Sequence, residues 1–188
     1  YFLFPFMHER ESLAPLWKYL TFTQNINLNV RTQGTFSHAW SLCIEEQFYL
    51  LFPIILVVLM YLKKIKSGFW LLITLFVFGF IIRFYCYQHF VASADDDTWL
   101  PWYKYIYYPT WSRLDGLVVG LSIAALLQFK PNFSERVLKH GNKILIFAVL
   151  ILAGTYFIFS DQESLSASVF GFPLVDLGYG IIVLAALS

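Results

Sequence analysis

FWLLITLFVFGFIIRFYCYQHF, residues 69–90, is the stretch that decides the fold class, because it is apolar over the length of a membrane-spanning helix. A helix needs about 20 mainly apolar residues to cross the hydrocarbon core of a bilayer. Further apolar runs occur at residues 47–62, 114–129, 144–160 and 167–188. The sequence therefore predicts about five spanning helices, and the shorter ones must recruit flanking residues or bury their ends in protein.

These apolar runs are predicted to be helices rather than strands of a membrane β-barrel. A barrel strand has about ten residues that alternate between apolar and polar. Residues 54–62, IILVVLMYL, and residues 144–154, ILIFAVLILAG, are apolar at successive positions instead. We therefore predict an all-α, polytopic transmembrane helical bundle with a short interfacial helix around residues 15–23.

The composition excludes several classes of soluble protein. Of the 188 residues, 59% are hydrophobic and 13% are charged, whereas a soluble domain carries about 25% charged residues. The chain is too apolar to be disordered, and its net charge of +1 argues against nucleic-acid binding. Cys43 and Cys86 are too few for a disulfide framework, and no spacing of His, Cys and carboxylate residues predicts a metal site.

Charged loops predict the orientation of the spans, because basic residues are retained on the cytoplasmic side. Basic residues follow the first and third full spans: Lys63, Lys64, Lys66, Lys130, Arg136, Lys139 and Lys143. The alternate loops carry acidic residues instead: Asp95, Asp96, Asp97, Asp161 and Glu163. We therefore expect these acidic loops, together with residues 7–46, to face the outside.

The two ends of the chain resemble interrupted apolar segments. The chain begins with YFLFPF rather than with an initiator methionine, and it stops inside the apolar stretch IIVLAALS. We therefore expect residues 1–188 to form a single transmembrane domain that is truncated at both ends.

SHAWSLCIEEQFYLLFP, residues 37–53, places charged side chains at the head of an otherwise apolar span. Ionisable residues at membrane depth are costly unless they are paired or face a cavity, so each is a functional candidate. In a helix that begins near either serine, four residues lie on or close to one face: His38, Ser41, Glu45 and Tyr49. A polar site at the outer end of the bundle is one interpretation of this face.

Helix capping is the structural alternative for the same residues. Ser37 or Ser41 can cap the helix, and Glu45 and Glu46 can complement the dipole of its first turn. A capping box fits Ser41 poorly, because Ile44 stands where the box needs an acidic residue. The spacing leaves dipole complementarity and a functional polar face both open.

A second charged group, SRLDG at residues 112–116, has the same two interpretations. Ser112 and Asp115 have the spacing of a capping box at the start of a helix. A catalytic role for Arg113 and Asp115 is the alternative. An ion pair from Arg113 to Glu45 or Glu46 would neutralise two costly charges at once.

Arg83 and Asp176 are the charges that interrupt apolar runs. Arg83 lies seven residues before Phe90, the end of its run, so its side chain can partly snorkel towards the membrane surface. Ion pairing explains both charges more economically, and we predict that each has a partner.

TWLPWYKYIYYPTW, residues 98–111, contains seven aromatic residues among fourteen. Such a segment is typical of the Trp and Tyr belt at a membrane interface. The alternative is a platform on which a sugar ring stacks, with Trp102 and Trp111 as its candidate residues.

HAWSLCIEEQFYLLFP, residues 38–53, resembles the signature of the membrane-bound acyltransferase 3 family, the bacterial O-acetylases of lipopolysaccharide O-antigen, peptidoglycan and exopolysaccharide. LTFTQNI at residues 20–26 and SRLDGLVVG at residues 112–120 resemble flanking parts of the same family. With the helix spacing, the resemblance covers essentially the whole chain, and the long motif is its specific part.

The resemblance implies a multi-pass enzyme of the bacterial inner membrane. Such enzymes take an acyl group, commonly acetyl from cytoplasmic acetyl-CoA, and deliver it to a sugar hydroxyl at or beyond the outer face. The implied partners are membrane lipid, acyl-CoA as donor substrate and a glycan acceptor, with no bound cofactor and no nucleic acid. The family's catalytic histidine and paired arginines match no position here, so we expect this segment to be inactive alone.

The resemblance also implies roles at matching positions of the long motif and of the second group. The candidate catalytic residues are Ser41, Glu45, Tyr49, Arg113 and Asp115. The resemblance gives Trp40 and Gln47 structural or substrate-positioning roles. The residue pattern alone adds four more candidates for such roles: His38, Glu46, Trp102 and Trp111. Glu45 would orient the family's histidine as a general base, and Arg113 would hold that carboxylate ionised.

A transporter or flippase for a glycan or lipid-linked sugar is the alternative function. It would use buried charges to line a path, and broken helices at matching places in two halves would favour it. Pro53 and Pro173 lie in or near spans, but no paired repeat accompanies them. A non-catalytic membrane sensor is a third interpretation, and it would not require a clustered polar face.

Overall fold

The computed structural model describes residues 12–64, 66–94 and 97–187, and these residues form helices joined by turns, without a strand among them. This confirms the all-α prediction. The predicted outer positions at residues 7–11, at Asp95 and at Asp96 lie outside the described residues.

The helices range from a single turn to six turns. In chain order the α-helices of the described residues are α1 (Leu16–Leu20), α2 (Val30–Gln33), α3 (Trp40–Tyr61), α4 (Ser67–Cys86), α5 (Trp99–Trp102), α6 (Asp115–Phe129), α7 (Pro131–Lys139), α8 (Gly141–Ile158) and α9 (Phe172–Ala186). Short turns of 3-10 or π type adjoin several of them: Ser37–Ala39, Tyr87–Val91, Tyr103–Tyr107, Thr110–Ser112 and Ala167–Gly171. These turns lengthen α3, α4 and α9 by about one turn each.

Four helical segments of the described chain are long and apolar enough to cross a membrane: Ser37–Tyr61, Ser67–Val91, Gly141–Ile158 and Ala167–Ala186. The apolar helix α6 has 15 residues, fewer than the about 20 that a full span needs. The predicted polytopic bundle is confirmed, with four full-length helices and one shorter helix in place of about five spans. Helices of this length and composition are typical of an integral membrane protein.

The chain divides into two compact units, the first of which comprises Tyr1–Ile65 and Tyr85–Arg113. In this unit α1 confirms the short helix predicted around residues 15–23. Aromatic side chains dominate its packing: the rings of Phe90 and Tyr105 stack with centroids 4.0 Å apart.

The second unit comprises Lys66–Phe84 and Leu114–Ser188, and α9 packs there against both α6 and α8. Gly178 allows α9 to approach α8 closely, because a Cβ at this position would lie 2.5 Å from Leu152 Cδ2. Small residues commonly permit such close approach between membrane helices. The packing of these helices therefore depends on the absence of a side chain at Gly178.

Candidate functional site

Helix α3 carries the long motif and begins at Trp40, before the apolar run predicted from residue 47. Its N-cap residue is Ala39, no side chain caps it, and its first turn contains no acidic residue. The alternative that Ser37 or Ser41 caps the helix, with glutamates complementing its dipole, is therefore wrong. The polar residues of the motif lie within the body of the helix.

The polar face of α3 is partly open in the first unit. Helical geometry places Ser41, Glu45 and Tyr49 on one face, as predicted. Ser41 and Glu45 are half-buried, Glu46 and His38 are exposed, and the exposed fraction of Tyr49 is 57%. Their functional roles remain predictions.

Gln47 joins two other segments of the first unit through a closed ring of hydrogen bonds. Its Nε2 donates to Asn25 Oδ1 at 3.1 Å. Asn25 Nδ2 donates to Thr110 Oγ1 at 2.9 Å, and the Thr110 hydroxyl donates to Gln47 Oε1 at 2.6 Å. The ring therefore ties the turn at residues 21–29 and the Thr110–Ser112 turn to α3.

Backbone carbonyls accept the remaining donor hydrogen of each amide in this ring. Gln47 Nε2 also donates to the carbonyl of Phe22, a residue in the left-handed region with a φ of 52°. Asn25 Nδ2 also donates to the carbonyl of Tyr108 at 3.1 Å. Asn25 is completely buried, and full hydrogen bonding offsets the cost of removing its amide from water.

Arg113 lies against aromatic rings rather than against the glutamates of α3. Its guanidinium carbon is 5.3 Å from the ring centroid of Trp40 and 5.4 Å from that of Tyr107, distances at which a cation is attracted to an aromatic ring. Among the described residues, no ion pair joins Arg113 to Glu45 or Glu46. The predicted ion pair with these carboxylates is therefore wrong.

Ser112 faces back along the chain and does not cap α6. Its hydroxyl lies within hydrogen-bonding distance of the carbonyls of Ile106, at 2.7 Å, and Pro109, at 2.8 Å. Helix α6 begins at Asp115, with Leu114 as its N-cap residue and no side-chain cap. The capping-box interpretation of SRLDG is therefore wrong, because the hydroxyl stabilises the preceding turn instead.

Asp115 forms a buried ion pair with Arg83 in the second unit. Arg83 Nη1 lies 2.5 Å from Asp115 Oδ2, and Nη2 lies 3.4 Å from Oδ1. The exposed fractions of the two side chains are 0% and 2%. This confirms the prediction that Arg83 is paired, and it identifies a partner that the sequence pattern did not specify.

Two glycines, Gly79 on α4 and Gly116 on α6, leave room for the carboxylates of Asp115 and Asp176. A Cβ at Gly79, one turn before Arg83 on α4, would lie 2.9 Å from Asp115 Oδ1 and 3.3 Å from both terminal guanidinium nitrogens. The carboxylate of Asp176 lies beside Gly116 on α6, where a Cβ would be 3.3 Å from Asp176 Oδ1. The pair and this second carboxylate therefore lie where α6 meets its neighbours in the unit.

The aromatic segment 98–111 is helical, and it buries much of its aromatic surface. Trp102 is completely buried and contacts the rings of Tyr103 and Tyr107 at centroid distances of 5.0 and 5.4 Å. It cannot serve as an open platform for a sugar ring. Trp111 is 37% exposed, and its predicted contact with a sugar remains a prediction.

Tyr108 is a tyrosine of this segment whose pKa is shifted by burial. Burial raises the pKa of Tyr108 to about 12, and the neighbouring Tyr103 and Tyr107 add to the rise, whereas a hydrogen bond with Ser37 opposes it. Tyr108 therefore stays protonated at physiological pH.

No group of three His, Cys, Asp or Glu residues that could hold a metal ion occurs within the described part of the chain.

Asn25 and Thr110 are the members of this site that sequence reasoning did not single out. They are separated by 85 residues, so no local spacing relates them. The signal available in the sequence was LTFTQNI, residues 20–26, which contains Asn25. In the structure the amide of Asn25 is completely buried.

Comparison with known proteins shows which proteins the chain resembles in sequence. The chain is 28% identical over 165 residues to O-acetyltransferase OatA of Staphylococcus aureus (strain NCTC 8325 / PS 47), an alignment that covers 82% of this chain. It is 36% identical over 134 residues, 68% of the chain, to the candidate O-acetyltransferases SACOL0978 of strain COL and SAS0844 of strain MSSA476. Over most of its length the chain is therefore similar to these O-acetyltransferases.

This similarity to O-acetyltransferases confirms the resemblance drawn from the long motif. The alignments cover 25% of the OatA relative and 20% of the other two, so the chain spans about a quarter of their length or less. No protein-family model and no solved structure matches the chain.

Proposed function

We propose that the full-length protein is an O-acetyltransferase of the bacterial inner membrane that transfers an acetyl group from acyl-CoA to a hydroxyl of a cell-surface glycan. The alignment with O-acetyltransferase OatA over 82% of the chain carries this proposal. The four long apolar helices support a reaction at a membrane.

Glu45 is the residue to which we assign orientation of the histidine that the family resemblance places on another helix. A carboxylate in a poorly solvated site fixes the tautomer of an imidazole and supports its action as a general base. The imidazole takes the proton of the sugar hydroxyl, and the hydroxyl oxygen bonds to the thioester carbonyl carbon. The carbon–sulfur bond then breaks with its electron pair on sulfur, and the imidazolium returns the proton to the departing CoA thiolate.

Arg113 supplies positive charge to the same step in this proposal. Negative charge develops on the thioester oxygen as the sugar oxygen attacks, and a fixed cation nearby stabilises it. Contacts with Trp40 and Tyr107 place the guanidinium against two aromatic rings. This support comes from aromatic rings and leaves Glu45 to act on the histidine.

Labelled acetyl transfer by the full-length protein tests the proposal. Membranes that contain the protein are incubated with acetyl-CoA labelled in the acetyl group, and the label is followed into polysaccharide. Label in glycan supports the enzyme. Movement of glycan across the membrane without label would instead support the transporter, which the O-acetyltransferase relatives do not favour.

The Glu45→Gln variant tests the assigned carboxylate. At matched membrane abundance we expect acetyl transfer to fall by about 10²-fold, because general base catalysis contributes about 10²–10⁴-fold. Glu135→Gln, an equal change at an exposed position of α7, is the control and should retain normal transfer. Normal activity in Glu45→Gln would remove this residue from the mechanism.

A further inference from the structure

We infer that Asn25, Gln47 and Thr110 are positioning residues that hold Arg113 in place for acetyl transfer, an inference that rests on the proposed function. The three side chains form the closed ring of hydrogen bonds in the first unit. The three residues come from separate segments of the chain, so no local spacing in the sequence relates them to Arg113.

The ring has one direction, which fixes its geometry. The Thr110 hydroxyl has a single proton, and it donates that proton to Gln47 while accepting a hydrogen bond from Asn25. Both amide groups use both of their donor hydrogens. Turning either amide over would place donor against donor, so the network specifies one arrangement of the segments it joins.

A short backbone path connects the ring to Arg113. The Thr110 carbonyl accepts a hydrogen bond from the Arg113 backbone N–H at 3.1 Å, which closes the Thr110–Ser112 turn. On the opposite side, Gln47 lies seven residues after Trp40 on α3, so both side chains occupy the same face of the helix. The ring and the Arg113–Trp40 contact therefore join the same two segments at two points.

The hydrogen-bond ring fixes the position of the Thr110–Ser112 turn relative to α3, and it thereby positions the Arg113 guanidinium relative to α3. The contacts with Trp40 and Tyr107 place the guanidinium carbon 5.3 and 5.4 Å from the two ring centroids, and the hydrogen-bond ring fixes the backbone that carries this side chain. Small misplacements of a catalytic group are costly, since about 1 Å can reduce a rate by about 10²-fold. Loss of the ring is therefore expected to lower kcat and to leave the KM for acetyl-CoA nearly unchanged.

Substitutions at Thr110 test the inference in the full-length protein, with acetyl transfer from labelled acetyl-CoA measured per amount of folded protein. Thr110→Val keeps the shape of the side chain and removes the hydroxyl, and we expect kcat to fall about tenfold. Thr110→Ser restores the hydroxyl and should recover kcat to within about twofold of wild type. Thr32→Val, the same change at an exposed position of α2, is the matched control.

Gln47→Glu provides a second test that does not depend on the folding of Thr110→Val. It keeps the size of the side chain and replaces the donor nitrogen by an acceptor oxygen, so it removes the donations to Asn25 and Phe22. A similar tenfold loss of kcat is expected. Normal kcat in both Gln47→Glu and Thr110→Val would overturn the inference.

A double substitution separates positioning of Arg113 from a general structural role. In an Arg113→Lys background, Thr110→Val should cause no further loss, because the planar group that the ring positions is already gone. Losses that multiply would show that the ring acts independently of Arg113 and would overturn the inference. If the wild-type protein transfers no acetyl group, the proposed function fails; if it is active and the Thr110 variants behave as wild type, only the positioning role fails.

Discussion

In the first unit three neutral side chains share a closed ring of hydrogen bonds, whereas in the second unit a charged pair is buried between two helices. The ring joins Asn25, Gln47 and Thr110, and each amide hydrogen in it has an acceptor. The pair joins Arg83 of α4 to Asp115 of α6, and the exposed fractions of the two side chains are 0% and 2%. Asn25 of the ring and both members of the pair are buried, but the physical consequences of the two arrangements differ.

The difference lies in what remains when one member is removed. Breaking the neutral ring leaves a donor or an acceptor without a hydrogen bond, at a cost of about 1–3 kcal/mol. Removing one charge of a buried pair leaves the other charge facing a low-dielectric interior, at a cost of about 3–5 kcal/mol. The ring is therefore suited to setting geometry, and the pair to holding helices together.

Asp115→Asn is expected to give the largest loss of stability. It keeps the shape of the side chain and removes the negative charge that faces Arg83, so we expect the free energy of unfolding to fall by about 3–5 kcal/mol. The measurement is denaturant unfolding of the full-length protein in detergent micelles. Asp161→Asn, at an exposed turn, is the control and should change stability by less than about 0.5 kcal/mol.

The double variant Arg83→Met with Asp115→Leu sharpens this result. Apolar residues of similar volume can replace a buried ion pair with little loss of stability, and sometimes with a gain. We expect the double variant to recover most of the stability lost in Asp115→Asn. A double variant as unstable as the single one would mean that the charges do more than neutralise each other.

The helices could be predicted from the sequence because the apolar runs are long, and the single charges Arg83 and Asp176 do not end them. Four of the predicted runs match full-length helices, and residues 114–129 match α6 closely. The start of α3 could not be predicted from hydrophobicity, because Ser41, Glu45 and Gln47 are polar and still lie within the helix. The start of α3 therefore depends on the contacts that its polar residues make, such as those of Gln47, as well as on hydrophobicity.

Gly79→Ala is expected to have the second largest effect on stability. A Cβ at this position would lie 2.9 Å from Asp115 Oδ1, so the ion pair must shift, and we expect a loss of about 1–3 kcal/mol. Gly120→Ala on α6 is the matched control, because no atom lies within 4 Å of a Cβ there. Alanine is the better helix former, so this control should be neutral or up to about 1 kcal/mol more stable.

Thr110→Val is expected to cost less than either change at the ion pair. It removes the hydroxyl that both accepts from Asn25 and donates to Gln47, and we expect the free energy of unfolding to fall by about 1–2 kcal/mol. The same unfolding measurement compares it with Thr32→Val. A loss as large as that of Asp115→Asn would contradict the distinction between the neutral ring and the charged pair.

The composition of the candidate site shows why its partners escaped prediction. Arg83 could be predicted to have a partner because a charge in an apolar run demands one. The choice of Asp115 depends on where two distant helices cross, 32 residues apart in sequence. Ser112 matched the capping-box spacing, but its hydroxyl found the carbonyls of Ile106 and Pro109, which a spacing rule does not consider.

Alkaline pH should weaken the first unit through Tyr108, whose carbonyl accepts from Asn25 in the ring network. Burial raises the pKa of Tyr108 from 10.0 to about 12, so above pH 10 the unfolded chain loses this proton while the folded chain retains it. The contribution to stability is therefore complete below pH 10 and is lost between about pH 10 and 12.

Tyr108→Phe isolates this contribution, because phenylalanine has no proton to lose. The difference in thermal unfolding midpoint between wild type and Tyr108→Phe should be constant up to pH 10. Above pH 10 it should shift steadily to the disadvantage of wild type. Tyr61→Phe, which removes a hydroxyl from an 85% exposed residue, is the comparison. A difference in unfolding midpoint between wild type and Tyr108→Phe that stays constant up to pH 12 would contradict burial of the Tyr108 hydroxyl.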